Sequence, residues 1–326
     1  MNNLTEMIVG TSPAMAMLRA YLPKVARSPA TVLIMGATGT GKERVARAIH
    51  QLGPRRRQSF VAINCAALPE SLVEAQLFGH ERGAFTGAIK GFKGHIAQAN
   101  GGIIFLDEIG EMSPHAQAKL LRVLETREVT PIGATRPLAV DIRFIAATNQ
   151  PLERLLEQKE FRLDLYYRLN VARLELPPLK ERKEDIPLLL NHTINELNLR
   201  DRCSVGQPDR EFLECLMAHD WPGNVRELRN LVEAIFIDPP LGLIGLNDLP
   251  PVFREMFSRY RTCPTSEREQ MLDILRNTNW NKVEAAKQLN WSRMTLYRKL
   301  AKYQINRSLH PSPNNSLKKE PAHHKP

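Results

Sequence analysis

Long apolar runs are missing from this chain of 326 residues. No segment reaches the ~18 consecutive apolar residues that a spanning helix needs, so no membrane span is expected. The amino terminus, Met1–Glu6, has neither the basic segment nor the apolar segment of a secretory signal. Cysteine is scarce. Cys65, Cys203, Cys215 and Cys263 lie far apart without metal-type spacing, so free, mostly buried thiols in a reducing cytosol are expected. Internal repeats are absent as well.

What is present is ordinary for a globular chain: 43% hydrophobic and 25% charged residues. The length suggests about two domains. The net charge of +10 is unevenly placed, because Asn281–Pro326 carries ten Lys/Arg against two Asp/Glu. Such a patch suits a polyanion such as DNA, and it equally describes a solvated basic tail; charge alone does not separate the two.

Thr31–Met35 is a short, β-branched apolar run ending at Gly36, and it reads as a buried parallel strand. Gly102–Leu106, before Asp107, and Ile142–Ala147 read as two more. Helical patterns at Glu43–His50 and Ala116–Glu125 lie between them, which predicts a doubly wound α/β core. After Pro177-Pro178 the pattern is helical only, through Phe236. Ile237–Pro251 is rich in Pro and Gly and reads as a linker. Glu267–Ile305 is helical and basic, and Ser308–Pro326 has no periodicity and reads as disordered.

Gly36-Ala37-Thr38-Gly39-Thr40-Gly41-Lys42 follows the first strand and opens a helix, the context that a G-x-x-x-x-G-K phosphate loop requires. Its glycines let backbone N–H groups curl around phosphates, the helix N-terminus adds a positive dipole end, and Lys42 reaches the β- and γ-phosphates of ATP. Many such loops continue with a Mg²⁺-binding Ser or Thr. Here Glu43 follows, which puts a direct hydroxyl ligand in doubt. Asp107-Glu108 ends the second strand. Asp107 is placed to hold Mg²⁺ through water, and Glu108 to polarise the attacking water. A solvated carboxylate pair at a strand end would look the same, and the coupling to Lys42 favours the catalytic reading.

Between these halves lies Gly83-Ala84-Phe85-Thr86-Gly87-Ala88. Its four small residues make a backbone that can protrude and bend, leaving Phe85 and Thr86 to touch a partner. Near the carboxy terminus, Val283–Leu289 forms a short helix, Asn290-Trp291 a turn, and Ser292 an N-cap for a helix carrying Arg293, Thr295, Arg298, Lys299 and Lys302. Leu296 and Leu300, spaced i, i+4, face a core, which is helix-turn-helix anatomy.

The 83–88 loop closely resembles the contact loop that sigma-54-dependent transcription activators press on the sigma-54 subunit of bacterial RNA polymerase. Gly39-Thr40-Gly41-Lys42-Glu43 is a form of phosphate loop common in that branch of the AAA+ ATPases, and the likeness spans about residues 8–236. The carboxy-terminal module resembles the Fis-type domain of the same proteins. By this resemblance, Asn64 bonds the catalytic Glu and links it to ligand state. Asn149 is a sensor near the γ-phosphate, and Arg226, in Trp221–Leu228, is the lid arginine that reads nucleotide. Leu176–Leu179 and Glu184–Ile186 match the entry to the lid. Phe161–Leu169 resembles the arginine-finger segment that reaches a neighbouring subunit's site. Arg162 and Arg168 are six residues apart and would not share a helix face, so different roles are expected. Ser292 and Arg293 are implied to approach base edges, with Thr295, Arg298 and Lys299 on phosphates. Two departures stand out: Asn290 replaces the usual turn Gly, and Trp280 stands where a Gly is expected.

The implied fold is α/β: an AAA+ doubly wound parallel sheet over 1–172 with a helical lid over 173–236. A linker at 237–266, an all-α helix-turn-helix domain at 267–307 and a tail at 308–326 follow. The implied activity is ATP hydrolysis, with Mg²⁺, in a ring, expected to be a hexamer, that binds enhancer double-stranded DNA and opens promoters held by sigma-54 polymerase in the bacterial cytoplasm, at the nucleoid. Ile8–Pro13 resembles the start of the ATPase domain, and seven residues precede it. That leaves no room in this sequence for a receiver or sensor domain. Control is then expected from expression level or a separate regulatory protein. The rival readings are a DNA-binding repressor of the same lineage with a vestigial ATPase, opposed by an intact Phe85-Thr86 and Glu108, and another AAA+ machine such as an unfoldase, opposed by the helix-turn-helix.

Overall fold

The computed structural model describes residues 2–67, 70–85, 88–258, 271, 274, 275, 278, 280–289, 291–303 and 305. Thr86 and Gly87 of the loop, Asn290 of the turn, the start of the 267–305 helical stretch and the tail lie outside the described residues. The chain divides into two compact units, Met1–Phe257 and Ser258–Pro326.

In the first unit the strands are β1 (Val32–Met35), β2 (Phe60–Asn64), β3 (Ile103–Asp107), β4 (Glu128–Val129), β5 (Leu138–Ala139), β6 (Arg143–Thr148), β7 (Ala172–Glu175), β8 (Val205–Pro208) and β9 (Gly242–Ile244). Five of them make a parallel sheet in the order β2-β3-β6-β1-β7. The three central strands are the three apolar runs of the sequence. Covered on both faces, they can be apolar at nearly every position. The edge strands β2 and β7 carry exposed positions that interrupt the apolar run. One core cluster holds Leu33, Leu106 and Phe144; the opposite face buries Ile34, Phe105 and Ile145 against the helices Pro13–Arg27 and Lys42–Leu52.

Parallel strands expose their carboxyl ends at one edge, and both the phosphate loop after β1 and Asp107-Glu108 after β3 lie there. Two segments inserted on this frame matter later. One is the 79–94 excursion that carries residues 83–88; the other is the antiparallel β4–β5 hairpin, which no apolar run in the sequence marks.

The lid is built on the helices Ile186–Asp201, Arg210–Ala218 and Asn224–Ile235. It corrects two expectations. The region is not helical only, because β8 pairs in parallel with β9. Nor is 237–266 a linker throughout: Ile244, Leu246, Leu249 and Phe257 are buried, and the Asp209 N–H donates to the Ile244 carbonyl at 2.8 Å. Pro and Gly in this stretch mark turns, among them Gly242 at φ +115°, while the apolar residues between them complete the lid core. Phe257, on the helix Pro251–Ser258, meets the rings of Phe212, His219 and Trp221.

The second unit packs Met271, Leu275, Trp280, Ala285, Ala286, Leu296, Leu300 and Ile305 together. Asn281 caps the helix Lys282–Gln288, and Ser292 caps Arg293–Lys302. Trp280 adopts φ +64°, so the backbone is left-handed where glycine was expected, while its ring is buried in the core. Among the described residues, no helix is long and apolar enough to cross a membrane.

Candidate active site

The phosphate loop begins where β1 ends, tied to the sheet by the Gly36 N–H donating to the Thr148 carbonyl at 3.2 Å. Gly39 and Gly41 adopt φ +79° and +108°, a backbone that residues with a Cβ rarely take, and this curls the loop into the start of the helix Lys42–Leu52. Lys42 is nearly buried. Its ammonium donates to the Gly36 carbonyl at 2.9 Å and lies 3.3 Å from Glu108 Oε1.

Glu108 follows β3 with φ +53°, a conformation unusual for a non-glycine residue. This turn aims its carboxylate across the site, where Oε2 accepts the Asn149 N–H at 3.0 Å. The Asn149 carboxamide in turn donates to Thr38 Oγ1 at 2.9 Å. Asn149 therefore joins the phosphate loop to the carboxylate pair. Burial and the adjacent Glu108 push the Asp107 carboxyl above its ordinary value, against the pull of Lys42.

A cavity of about 490 Å³ opens between this edge and the lid. Thr38, Gly39, Gly41, Lys42, Glu43, Asn64, Asp107, Glu108 and Arg226 line it, so most of the expected nucleotide and catalytic residues converge on one space. The volume falls in the range of small-molecule sites. The donor set fits a nucleotide with a divalent cation: loop N–H groups and an ammonium for phosphate, and two carboxylates beside them for a hard, oxygen-seeking ion.

Four of the expected site residues hold other partners. Asn64 does not bond Glu108. Its carboxamide oxygen accepts the Ala66 N–H at 2.8 Å, closing a local turn of the kind Asn favours. Glu43 lines the cavity, yet its carboxylate pairs with Arg47 one helical turn on, at 2.6 Å. Arg162 and Arg168 are exposed and do not line the cavity of their own chain. Arg162 precedes the helix Leu163–Leu169 and forms a bidentate pair with Asp164 at 3.0 and 2.7 Å; Arg168 occupies the last turn, 3.8 Å from Glu125.

Several contributors were invisible to motif reading. Asn224 is buried, donates to the Thr38 carbonyl at 2.9 Å and accepts the Leu179 N–H at 2.7 Å. Arg182 donates to the Thr40 carbonyl at 3.1 Å from a buried position, and desolvation there lowers its guanidinium pKa against the pull of Asp185. Alongside them Arg226, which the lid motif already marks, donates its N–H to the Gly39 carbonyl at 3.2 Å. His192, Thr193 and Arg229 supply the lid wall of the cavity. Gln117 is fully buried, and its amide oxygen accepts the Arg162 N–H at 2.9 Å, fixing the backbone from which that arginine projects. Apart from Arg226, each lies on a partner element far away in sequence, so no local spacing announces it.

The described part of the 83–88 loop is tightly folded. The Gly83 N–H donates to the Ala88 carbonyl at 2.9 Å, and the Ala88 N–H to the Phe85 carbonyl at 3.0 Å. Phe85 is 40% exposed, so part of its ring faces outward. In the second unit, the Ser292 hydroxyl accepts the Thr295 N–H at 3.1 Å and contacts Thr295 Oγ1 at 2.8 Å, a cap at the exposed start of the helix. The Lys299 ammonium sits 4.2 Å from the Trp291 ring centroid. Arg293 and Arg298 are exposed on the same helix.

A five-stranded parallel sheet with a phosphate loop, a carboxylate pair and a helical lid defines a nucleotide-binding ATPase domain of the AAA+ class. Comparison with protein families matches residues 8–175 to the Sigma-54 interaction domain, 180–265 to the AAA+ ATPase lid domain, and 263–303 to Bacterial regulatory protein, Fis family. The chain belongs to the sigma-54-dependent transcriptional activators, with a DNA-binding helix-turn-helix. Among its relatives is the transcriptional regulatory protein ZraR of Escherichia coli K12, 45% identical over 301 residues, which covers 90% of this chain and 68% of ZraR. The nitrogen fixation protein AnfA of Azotobacter vinelandii is 42% identical over 307 residues, covering 92% of this chain and 58% of AnfA. The crystal structure of NtrX from Brucella abortus in complex with ATP superposes with a TM-score of 0.68 at 33% identity, covering 91% of this chain and 69% of that one.

Proposed function

We propose that this chain hydrolyses ATP with Mg²⁺ in a homo-oligomeric ring, a hexamer, and uses the 83–88 loop to remodel the closed complex of sigma-54 RNA polymerase into an open one. Ser292 and Arg293 at the base edges, with Thr295, Arg298 and Lys299 on phosphates, hold it to enhancer DNA in the bacterial cytoplasm. One observation carries this reading: a loop of small residues with a half-exposed Phe85 stands on the same domain as the converging Lys42, Asp107, Glu108 and Asn149.

Phosphate is cradled by the 36–41 backbone and by Lys42, whose ammonium is already held in the site by Gly36. A divalent cation, when bound, supplies charge neutralisation on the phosphates, and Asp107 is the residue that would hold it. Glu108 accepts a proton from the attacking water, and Asn149 orients that carboxylate through its backbone N–H. Arg226 reads the nucleotide from the lid. Arg162 and Arg168 serve the site of the neighbouring subunit, which accounts for their exposure away from their own cavity. A separate regulatory protein acting on the ATPase face is a further expected partner.

Thr86→Ala tests the division of labour. ATP hydrolysis is expected to stay within about twofold of the parent, since Thr86 belongs to the loop and not to the phosphate site, while open-complex formation with purified sigma-54 polymerase is lost. Loss of hydrolysis with polymerase contact retained would reverse the assignment.

A further inference from the structure

The contact loop is braced by a ring contact that the nucleotide site does not use. His80 lies three residues before Gly83, and its backbone is held on both sides. Its N–H donates to the Phe92 carbonyl at 2.9 Å, its carbonyl accepts the Phe92 N–H at 2.8 Å, and the next N–H, of Glu81, donates to the Ile132 carbonyl at 2.9 Å. The two arms of the 79–94 excursion and the segment after β4 therefore meet at this residue. With so little freedom at the backbone, the imidazole is a fixed platform.

That platform carries Phe85. The His80 and Phe85 rings meet edge-on, with centroids 4.9 Å apart and planes at 62°. On its other side His80 neighbours Phe92 at 6.1 Å, and Phe92 meets His95 at 5.6 Å and 76°. Edge-to-face pairs are attractive because a positive ring edge meets a negative ring face. The His80 Nδ1 is buried and has no hydrogen-bond partner, so the polar chemistry of this side is unused and the ring works through its faces and edges. Phe85 remains 40% exposed, with one side seated and the other presented outward.

We propose that His80 is the positioning residue of the contact loop: its ring seats Phe85, so that the loop offers sigma-54 a preorganised aromatic surface. The proposal rests on reading 83–88 as the sigma-54 contact. Preorganisation matters because ordering a loop at the moment of binding subtracts from affinity.

The test measures binding of purified sigma-54 to the full chain held with ADP and aluminium fluoride, alongside ATPase kcat and KM, for His80→Ala, His80→Phe and Phe85→Ala. His80→Ala is expected to bind about threefold to tenfold more weakly, the size of an aromatic pair's contribution. His80→Phe restores a ring and should bind within about twofold of the parent, and both His80 variants should keep the parent kcat and KM. If His80→Ala binds like the parent while Phe85→Ala does not, the proposal falls and the loop assignment stands. If Phe85→Ala also binds like the parent, the loop assignment falls and takes the proposal with it. If His80→Phe is as weak as His80→Ala, or if His80→Ala loses ATPase activity as well, the ring contact is not what positions the loop and the proposal is overturned.

Discussion

Lys42 and Glu108 neutralise one another across 3.3 Å, with the ammonium also held by Gly36. In the proposed mechanism a phosphate entering the loop competes for that ammonium and leaves Glu108 to act on water, its carboxylate held by the Asn149 N–H. Glu108→Gln keeps the size and the acceptor oxygen for Asn149 while removing the basic carboxylate. The expected result is ATP binding at or above the parent affinity with turnover lowered about 10²- to 10⁴-fold, read by equilibrium nucleotide titration and steady-state phosphate release. Near-normal turnover would remove Glu108 from the role of base. Single residues also show where motif reading stopped. Lys42, Asp107 and Glu108 were legible because their spacing from strand ends is fixed by the chemistry of phosphate binding. Asn224 and Arg182 were not, because each reaches the phosphate loop from the lid, more than a hundred residues away. Asn64 was read by resemblance as a partner of Glu108, and the structure gives its side chain to the Ala66 N–H instead. Trp280 looked like a departure from glycine. The backbone there is left-handed all the same, at φ +64°, with the indole buried in the core of the second unit.

At the scale of elements, the phosphate loop and the lid turn 221–224 meet with almost no clearance. A Cβ added at Gly39 would stand 2.3 Å from the Gly223 carbonyl oxygen, and Gly39 also holds φ +79°. Gly39→Ala therefore cannot be accommodated without moving backbone on one side. The expected outcome is ATP affinity lowered at least about tenfold together with about 1–3 kcal/mol less stability, from calorimetric titration and denaturant unfolding. A variant that binds and unfolds like the parent would show that lid and loop do not hold this contact in solution. Element legibility followed burial. The central strands β1, β3 and β6 are covered on both faces and read as apolar runs, while the short edge strands β2 and β7 carry exposed positions that interrupt any such run. Strands β8 and β9 were hidden by their composition: Pro and Gly suggested a linker, yet the turns they make bring Ile244 into the lid core.

At the scale of the whole molecule, the boundary between units decides where the chain can be cut. A linker from 237 would have allowed truncation after Pro251, but Phe257 is fully buried against Phe212, His219 and Trp221. Removing a buried Phe costs about 3–5 kcal/mol, so truncation at Pro251 should unfold the lid. Truncation after Ser258 should instead retain ATPase activity and lose site-specific DNA binding, because the helix-turn-helix and fourteen of the Lys/Arg residues lie beyond it. Footprinting and phosphate release on the same preparation read both halves, and enhancer footprints retained by the shortened chain would contradict the assignment of DNA binding to the second unit.

In the ring proposed above, the exposed arginines have a place to act. Arg162 is paired with Asp164 and its backbone is fixed by buried Gln117, while Arg168 projects from the last turn of its helix with only a distant Glu125 at 3.8 Å. Neither lines the cavity of its own chain, so any role in hydrolysis must be played at a neighbour's. Arg168 is the freer of the two and the better candidate for a finger acting in trans. If so, Arg168→Ala damages the half-site a subunit lends, and Lys42→Ala damages the half-site it keeps. Each variant alone should fall about 10²-fold or more in ATPase rate. Rings mixed from the two contain some junctions where an intact Arg168 faces an intact Lys42, and equal mixing makes about one junction in four of that kind if subunits distribute at random. ATPase activity well above either parent preparation is then expected, rising and falling with the mixing ratio and greatest near equal parts. Co-assembly confirmed by differential labelling, with no recovery at any ratio, would place Arg168 outside the catalytic site and leave Arg162 as the residue to test in the same way.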